Sequence, residues 1–275
     1  MRTLSVFFVF ILISCAAYAS DMALYLGHPN PDWYPEDVMQ ADGDTIMRDL
    51  GHHFSTIKGF DDSQAAQLQA WVEANMSDAE MDILWMNGCM PSVLYPNPNV
   101  QQDGSLAEQW LDGGNMIINV ADWFGYCTYE TGARGSDNGG TGAESILDLS
   151  GIIISSDNTA ITITAAGKKY LPSLGAETMT DRPVPRAAVV APWEIAEVFG
   201  ESSNGSNLDP LVIYNTETDA YMAFMNQANS GHSVDRAQMT IEFVNNWVAQ
   251  VLGIPGSTAV EPGSKLTSTW GALKN

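Results

Sequence analysis

The feature that most constrains this chain is the alternation of short apolar runs with capped helical segments between residues 22 and 155. Met22-Ala23-Leu24-Tyr25-Leu26, Phe54 to Ile57, Met81 to Met86 and Asn115 to Val120 read as strands. A helix is expected between each pair. Pro35-Glu36-Asp37 has the chemistry of a first helical turn, with acids facing the dipole. Gly51 stands where that helix would stop. Ser63 is placed to cap a helix carrying Leu68, Trp71 and Val72. Ser105 with Glu108, and Thr141 with Glu144, have capping-box spacing. Strands that alternate with helices predict a mostly parallel sheet covered on both faces, because each crossover lays a helix on the sheet. The fold class is therefore α/β, a flavodoxin-like doubly wound sheet in the order 2-1-3-4-5.

The C-terminal half is richer in β signals. Gly151 to Ser155 and Ala160 to Thr164 are β-prone, and Leu211 to Tyr214 with Ala220 to Phe224 flank a turn in hairpin fashion. A last helix starts at Ser233 or Asp235. Its apolar stripe is Ala237, Ile241, Val244, Trp247, Val248 and Val251, and Gly253 closes it. Residues 20–253 are read as one domain, and 254–275 as a Pro/Gly/Ser/Thr tail that docks on the domain or on a partner.

Residues 1–19 have the layout of a secretory signal: Arg2, an apolar run from Leu4 to Ile13, and Ala17-Tyr18-Ala19 as the cleavage site before Ser20. Export is the expectation. Leu12-Ile13-Ser14-Cys15 also resembles a lipobox, with lipid anchoring through Cys15 as the alternative. No later run is apolar enough to span a bilayer. Acidic residues outnumber basic ones 33 to 11, for a net charge of −22. That balance excludes nucleic acid as the expected partner, since phosphate binding needs a cationic face.

In an open parallel sheet the ligand crevice lies beyond the carboxyl ends of the strands, where strand order reverses. Here that point falls between strands one and three. The loops meeting there carry His28 and Asp32, Asn87 and Cys89, and Asp122, Trp123 and Tyr126. His28 and Asp122 are the candidate catalytic pair, as base and orienter of a hydrolase or lyase. Asp32, Asn87, Cys89, Trp123, Tyr126 and Arg134 are the candidate ligand contacts. His28, Cys89 and Asp122 suit a nucleophile with its base, part of a metal site, or plain loop hydrogen bonding. Cys89 and Cys127 lie on neighbouring loops and are expected to pair as a disulfide in an oxidising compartment. The loop from Trp123 to Gly140 combines aromatics with carboxylates and amides, a chemistry that suits a small polar, sugar-like ligand. No Gly-x-Ser-x-Gly, His-Glu-x-x-His or Cys-x-x-Cys occurs, and the glycines before Thr141 lack the lysine of a nucleotide loop. A non-catalytic binding or assembly module using the 123–140 loop and the tail is the competing reading.

The order of parts resembles the class I glutamine amidotransferase-like superfamily, nearest its trehalose-utilisation-protein-like (ThuA-like) branch. The likeness rests on Ala23 to His28, Asp82 to Gly88, and Trp110-Leu111-Asp112-Gly113-Gly114-Asn115-Met116-Ile117-Ile118. It implies the flavodoxin-like layered fold. The amidotransferases carry a nucleophilic cysteine in a tight elbow after the fourth strand. Here that stretch reads Val120-Ala121-Asp122-Trp123, Cys127 comes too late, and no His-x-Glu pair follows. Glutaminase activity is therefore not expected.

Overall fold

A computed structural model describes residues 20–96, 104–130 and 133–254. The expected signal at 1–19, including Cys15, and the expected tail from 255 onward lie outside the described residues. The strands in chain order are β1 (Met22–Tyr25), β2 (Ile57–Phe60), β3 (Ile83–Met86), β4 (Cys89–Pro91) and β5 (Met116–Val120). They continue as β6 (Cys127–Glu130), β7 (Ala133–Asp137), β8 (Thr159–Ile163), β9 (Glu177–Thr180) and β10 (Val184–Pro185). The last five are β11 (Trp193–Val198), β12 (Gly200–Glu201), β13 (Asn207–Leu208), β14 (Leu211–Asn215) and β15 (Tyr221–Met225). The helices are α1 (Glu36–Leu50), α2 (Ala65–Asn75), α3 (Leu106–Asp112), α4 (Thr141–Leu147), α5 (Ala165–Tyr170) and α6 (Arg236–Glu242).

The fold is mixed α/β around a seven-stranded, mostly parallel sheet in the order β11-β14-β15-β5-β3-β1-β2. The pairs from β15 through β5, β3 and β1 to β2 are parallel; β14 and β11 add antiparallel strands at one edge. Alternate residues of each strand feed opposite layers. Met22 and Leu24 join Met39, Ile46 and Leu50 of α1 and Phe243 and Trp247 of the last helix. Ala23 and Tyr25 join Leu68, Trp71, Trp110 and Ile146 from α2, α3 and α4. A strand buried on both sides needs apolar residues at consecutive positions, and β1 and β3 are buried throughout for that reason. A five-stranded antiparallel sheet, β10-β13-β12-β8-β9, and a small sheet, β4-β6-β7, complete the β-rich half.

Several local expectations shift. The second strand is Ile57–Phe60, not Phe54 to Ile57. Phe54 is spent in the core beside α1, and pairing with β1 starts only where Met22 N–H reaches the Thr56 carbonyl. Residues 151–155 form no strand: Gly151 turns at φ +67 and its N–H is taken by Glu144 Oε1 at 2.6 Å. That same bond diverts Glu144 from a capping box, so Gly140 stands at the N-cap of α4. Asp61, not Ser63, caps the turn leading into α2. The box at Ser105 and Glu108 forms as read. The last helix starts after the cap Asp235 and widens into a π-helix over Phe243–Leu252 before Gly253 at φ +74.

Candidate functional site

Three loops meet at the carboxyl ends of β1, β3 and β5. Gly88 lets them close: at φ +91, its missing Cβ would lie 2.6 Å from the Cβ of Asp122. Asn119, at the end of β5, locks the approach. Its Oδ1 accepts from Gly88 N–H at 2.9 Å, and its Nδ2 donates to the Asp122 carbonyl at 2.9 Å and to Gln227 Oε1 at 3.2 Å. Ala121 then turns the chain at φ +68. This left-handed position is costly for a residue with a Cβ. The chain turns sharply here, with a methyl group at the turn.

His28 and Asp122 do not form the expected pair. His28 Nε2 lies 3.3 Å from Asp62 Oδ2, and its backbone N–H donates to the same oxygen at 3.1 Å. The other Asp62 oxygen accepts from the Tyr25 hydroxyl at 2.5 Å, which together with burial pushes the Tyr25 phenol well up. Asp62 is thus held by two donors, the Tyr25 hydroxyl and the His28 amide, and stands beside the imidazole. Asp122 instead accepts from Asn30 Nδ2 at 2.8 Å and from Trp123 N–H at 2.7 Å. Burial raises its carboxyl to about 6, against the lowering effects of Asn30, the Trp123 amide, Arg182 and Arg134. Asp122 is therefore an anchor for the 27–34 loop: it reaches His28 through Asn30, two residues further on.

The other expected contacts divide. Arg134 and Tyr129 join His28, Pro29, Pro31 and Glu36 around a cavity of about 350 Å³. The rings of His28 and Tyr129 are 5.2 Å apart. Arg134 is steadied by Asp137, which also accepts from the Tyr126 hydroxyl at 3.0 Å. Asp32 is exposed, and its carbonyl accepts from Ser230. Asn87 is buried and structural, donating to the Gly27 carbonyl at 3.3 Å and accepting from Cys89 N–H at 3.0 Å. Cys89 and Cys127 are register partners on β4 and β6, both fully buried. The expected pairing is met as proximity: the two cysteines are in close contact as free thiols. Burial and that contact push the Cys89 thiol well up, which removes it as an exposed nucleophile.

Trp123 does something the sequence did not announce. Its ring and that of Trp33 sandwich Arg182, whose guanidinium carbon is 4.3 Å and 4.5 Å from the two ring centres. Arg182 also bonds Asp157 and the Asp181 carbonyl. The stack straps three loops together. Asp62 was missed as well, because a strand ending at Ile57 leaves it stranded in a loop. Ending β2 at Phe60 brings it to the strand edge. Among the described residues, no group of three His, Cys, Asp or Glu side chains is placed to hold a metal ion. No family model matches the chain, and no curated protein matches it.

Proposed function

We propose that this is an exported protein of flavodoxin-like, amidotransferase-like architecture that binds or processes a small polar, sugar-like ligand at its strand ends, without glutaminase activity. The observation that carries the reading is the His28–Asp62 dyad opening on the cavity shared with Tyr129 and Arg134. With Nε2 facing Asp62, Nδ1 is the other ring nitrogen of a part-exposed imidazole that lines the cavity. Such a nitrogen can take a proton from a hydroxyl while Asp62 stabilises the resulting imidazolium. The cavity offers donors from Arg134, an acceptor in Glu36 and an aromatic side chain in Tyr129. Mixed donors and acceptors beside an aromatic ring suit a neutral polyol better than a phosphate. Ala121 supplies no nucleophile at its turn, consistent with a reaction run by acid–base chemistry.

The test is a thermal-shift screen of mono- and disaccharides at millimolar concentration, followed by turnover assays on those that bind. A stabilising sugar whose effect vanishes in Arg134→Ala, and whose turnover vanishes in His28→Ala, supports the reading. Absence of any sugar effect sinks it. The binding-module alternative is favoured by the exposed Ala133, Arg134 and Asp137 of β7, and it requires partner capture indifferent to His28→Ala. Trp123→Ala is a poor discriminator, because it also removes half of the Arg182 sandwich.

A further inference from the structure

At the opposite, amino-terminal edge of the sheet, the chain is already locked in place by Ser20. The Ser20 carbonyl accepts from Ser55 N–H at 3.0 Å. Asp21 N–H donates to Asp82 Oδ1 at 2.5 Å, and Asp21 Oδ1 accepts from Thr56 N–H at 2.7 Å. Asp82 is 1% exposed, and its second oxygen, Oδ2, is buried without a hydrogen-bond partner. The charges around it are of the wrong sign. Asp21, Asp78 and Glu80 join burial in raising its carboxyl to about 7. At the same edge a cavity of about 500 Å³ is lined by Ser20, Glu80, Met81, Gly113, Asp219 and Tyr221, and Asp82 follows directly on that lining in the chain. A buried carboxylate oxygen with neither donor nor cation is costly, and native folds rarely keep one.

The nitrogen of Ser20 is one residue back from the Asp21 nitrogen, hence within about 3.6 Å of it by covalent geometry. In the full-length chain that nitrogen is a neutral amide. Hydrolysis of the Ala19–Ser20 bond adds water across it: the hydroxyl goes to the Ala19 carbonyl and the proton to the Ser20 amine. The amine then protonates to an ammonium with three donors. We propose that removal of residues 1–19 completes the fold at this edge, the new α-ammonium of Ser20, a residue that lines the cavity with Glu80 and Asp219, becoming the counter-ion of the adjacent Asp82. This rests on the export reading, with cleavage before Ser20.

The test is a double-mutant cycle in urea. One axis compares a chain beginning at Ser20 with one beginning at Ala19. The other compares Asp82 with Asp82→Asn, which keeps the oxygen that accepts from Asp21. The one-residue extension should raise the unfolding constant at least about tenfold with Asp82, the scale expected for breaking a part-buried pair. With Asp82→Asn the effect should be under about twofold. Equal effects in both backgrounds, or none, overturn the pair. Should Asp82→Asn not fold, the α-amine decides: acylation rate against pH places its pKa above the usual ~7.7–8.0 if it is paired and within that range if it is not. Intact mass of the exported chain separates the two failures. A mass that starts elsewhere than Ser20 overturns the processing reading, whereas a mass at Ser20 with no coupling overturns the ion pair alone.

Discussion

His28 and Gly88 show how much single residues decide here. His28 owes its orientation to a carboxylate 34 positions away in sequence, so its two partners can be separated experimentally. Asp62→Asn keeps an acceptor beside the imidazole and removes its charge. Turnover of any processed sugar should fall by about two to four orders of magnitude in His28→Ala, the range of a lost acid–base catalyst. It should fall less in Asp62→Asn, with thermal midpoints close to wild type for His28→Ala because the ring is part-exposed. A midpoint drop matching the activity loss would make the dyad structural. Gly88→Ala meets both a clash with Asp122 and a left-handed φ. It should destabilise by about 2 kcal/mol or more in urea titrations. Its failure to do so would mean that the β3 and β5 loops move apart freely.

At the level of elements, the best-specified piece is α3. Ser105 accepts from Glu108 N–H at 3.2 Å, and Glu108 Oε2 accepts from Ser105 N–H at 2.6 Å. Ser105→Ala should therefore cost about 1 kcal/mol, read as a shift in the urea midpoint. The β4–β6 pair carries a redox prediction. Cys89 and Cys127 face one another in register, so oxidation in an exported protein should join them. Denaturing alkylation without reductant should label neither thiol in exported material. Two labelled thiols would mean that the pair stays reduced. How far the sequence disclosed these elements follows from how local their causes are. The Ser105 box needs four neighbouring residues and was readable. The Thr141 box failed because Glu144 is claimed by Gly151, and β2 moved because Phe54 is drawn into the core beside α1. Such competition is settled by packing partners that a local pattern does not contain.

For the whole molecule, charge and burial set the response to conditions. Asp209 is fully buried, accepts from Thr180, Asn226 and Gln227, and has its carboxyl raised to about 7; Asp122 is raised to about 6. Unfolded aspartate titrates near ~3.9. Between about pH 4 and pH 7 the native state therefore holds protons that the unfolded chain has released. The stability these groups lend is present at the low end of that window and is lost as pH rises through the native values. Unfolding free energy should fall by on the order of 2 kcal/mol from pH 5 to pH 8. Asp209→Asn should flatten that slope, and a profile that rises over the same range would contradict the assignment. A net charge of −22 adds self-repulsion, so moderate salt should raise the thermal midpoint.

The sequence by itself determined the alternation that builds a mostly parallel sheet, the sign of the charge, the Ser105 cap and the loops that would meet at the strand ends. These follow from periodicity, composition and spacing, which act over a turn or a strand. Only the tertiary structure decided which side chains touch within those loops. It gave His28 to Asp62 instead of Asp122, placed Arg182 between Trp33 and Trp123, and left one oxygen of Asp82 without a donor. Each of those choices joins residues far apart in the chain, and each is settled by register and burial, which no local pattern encodes.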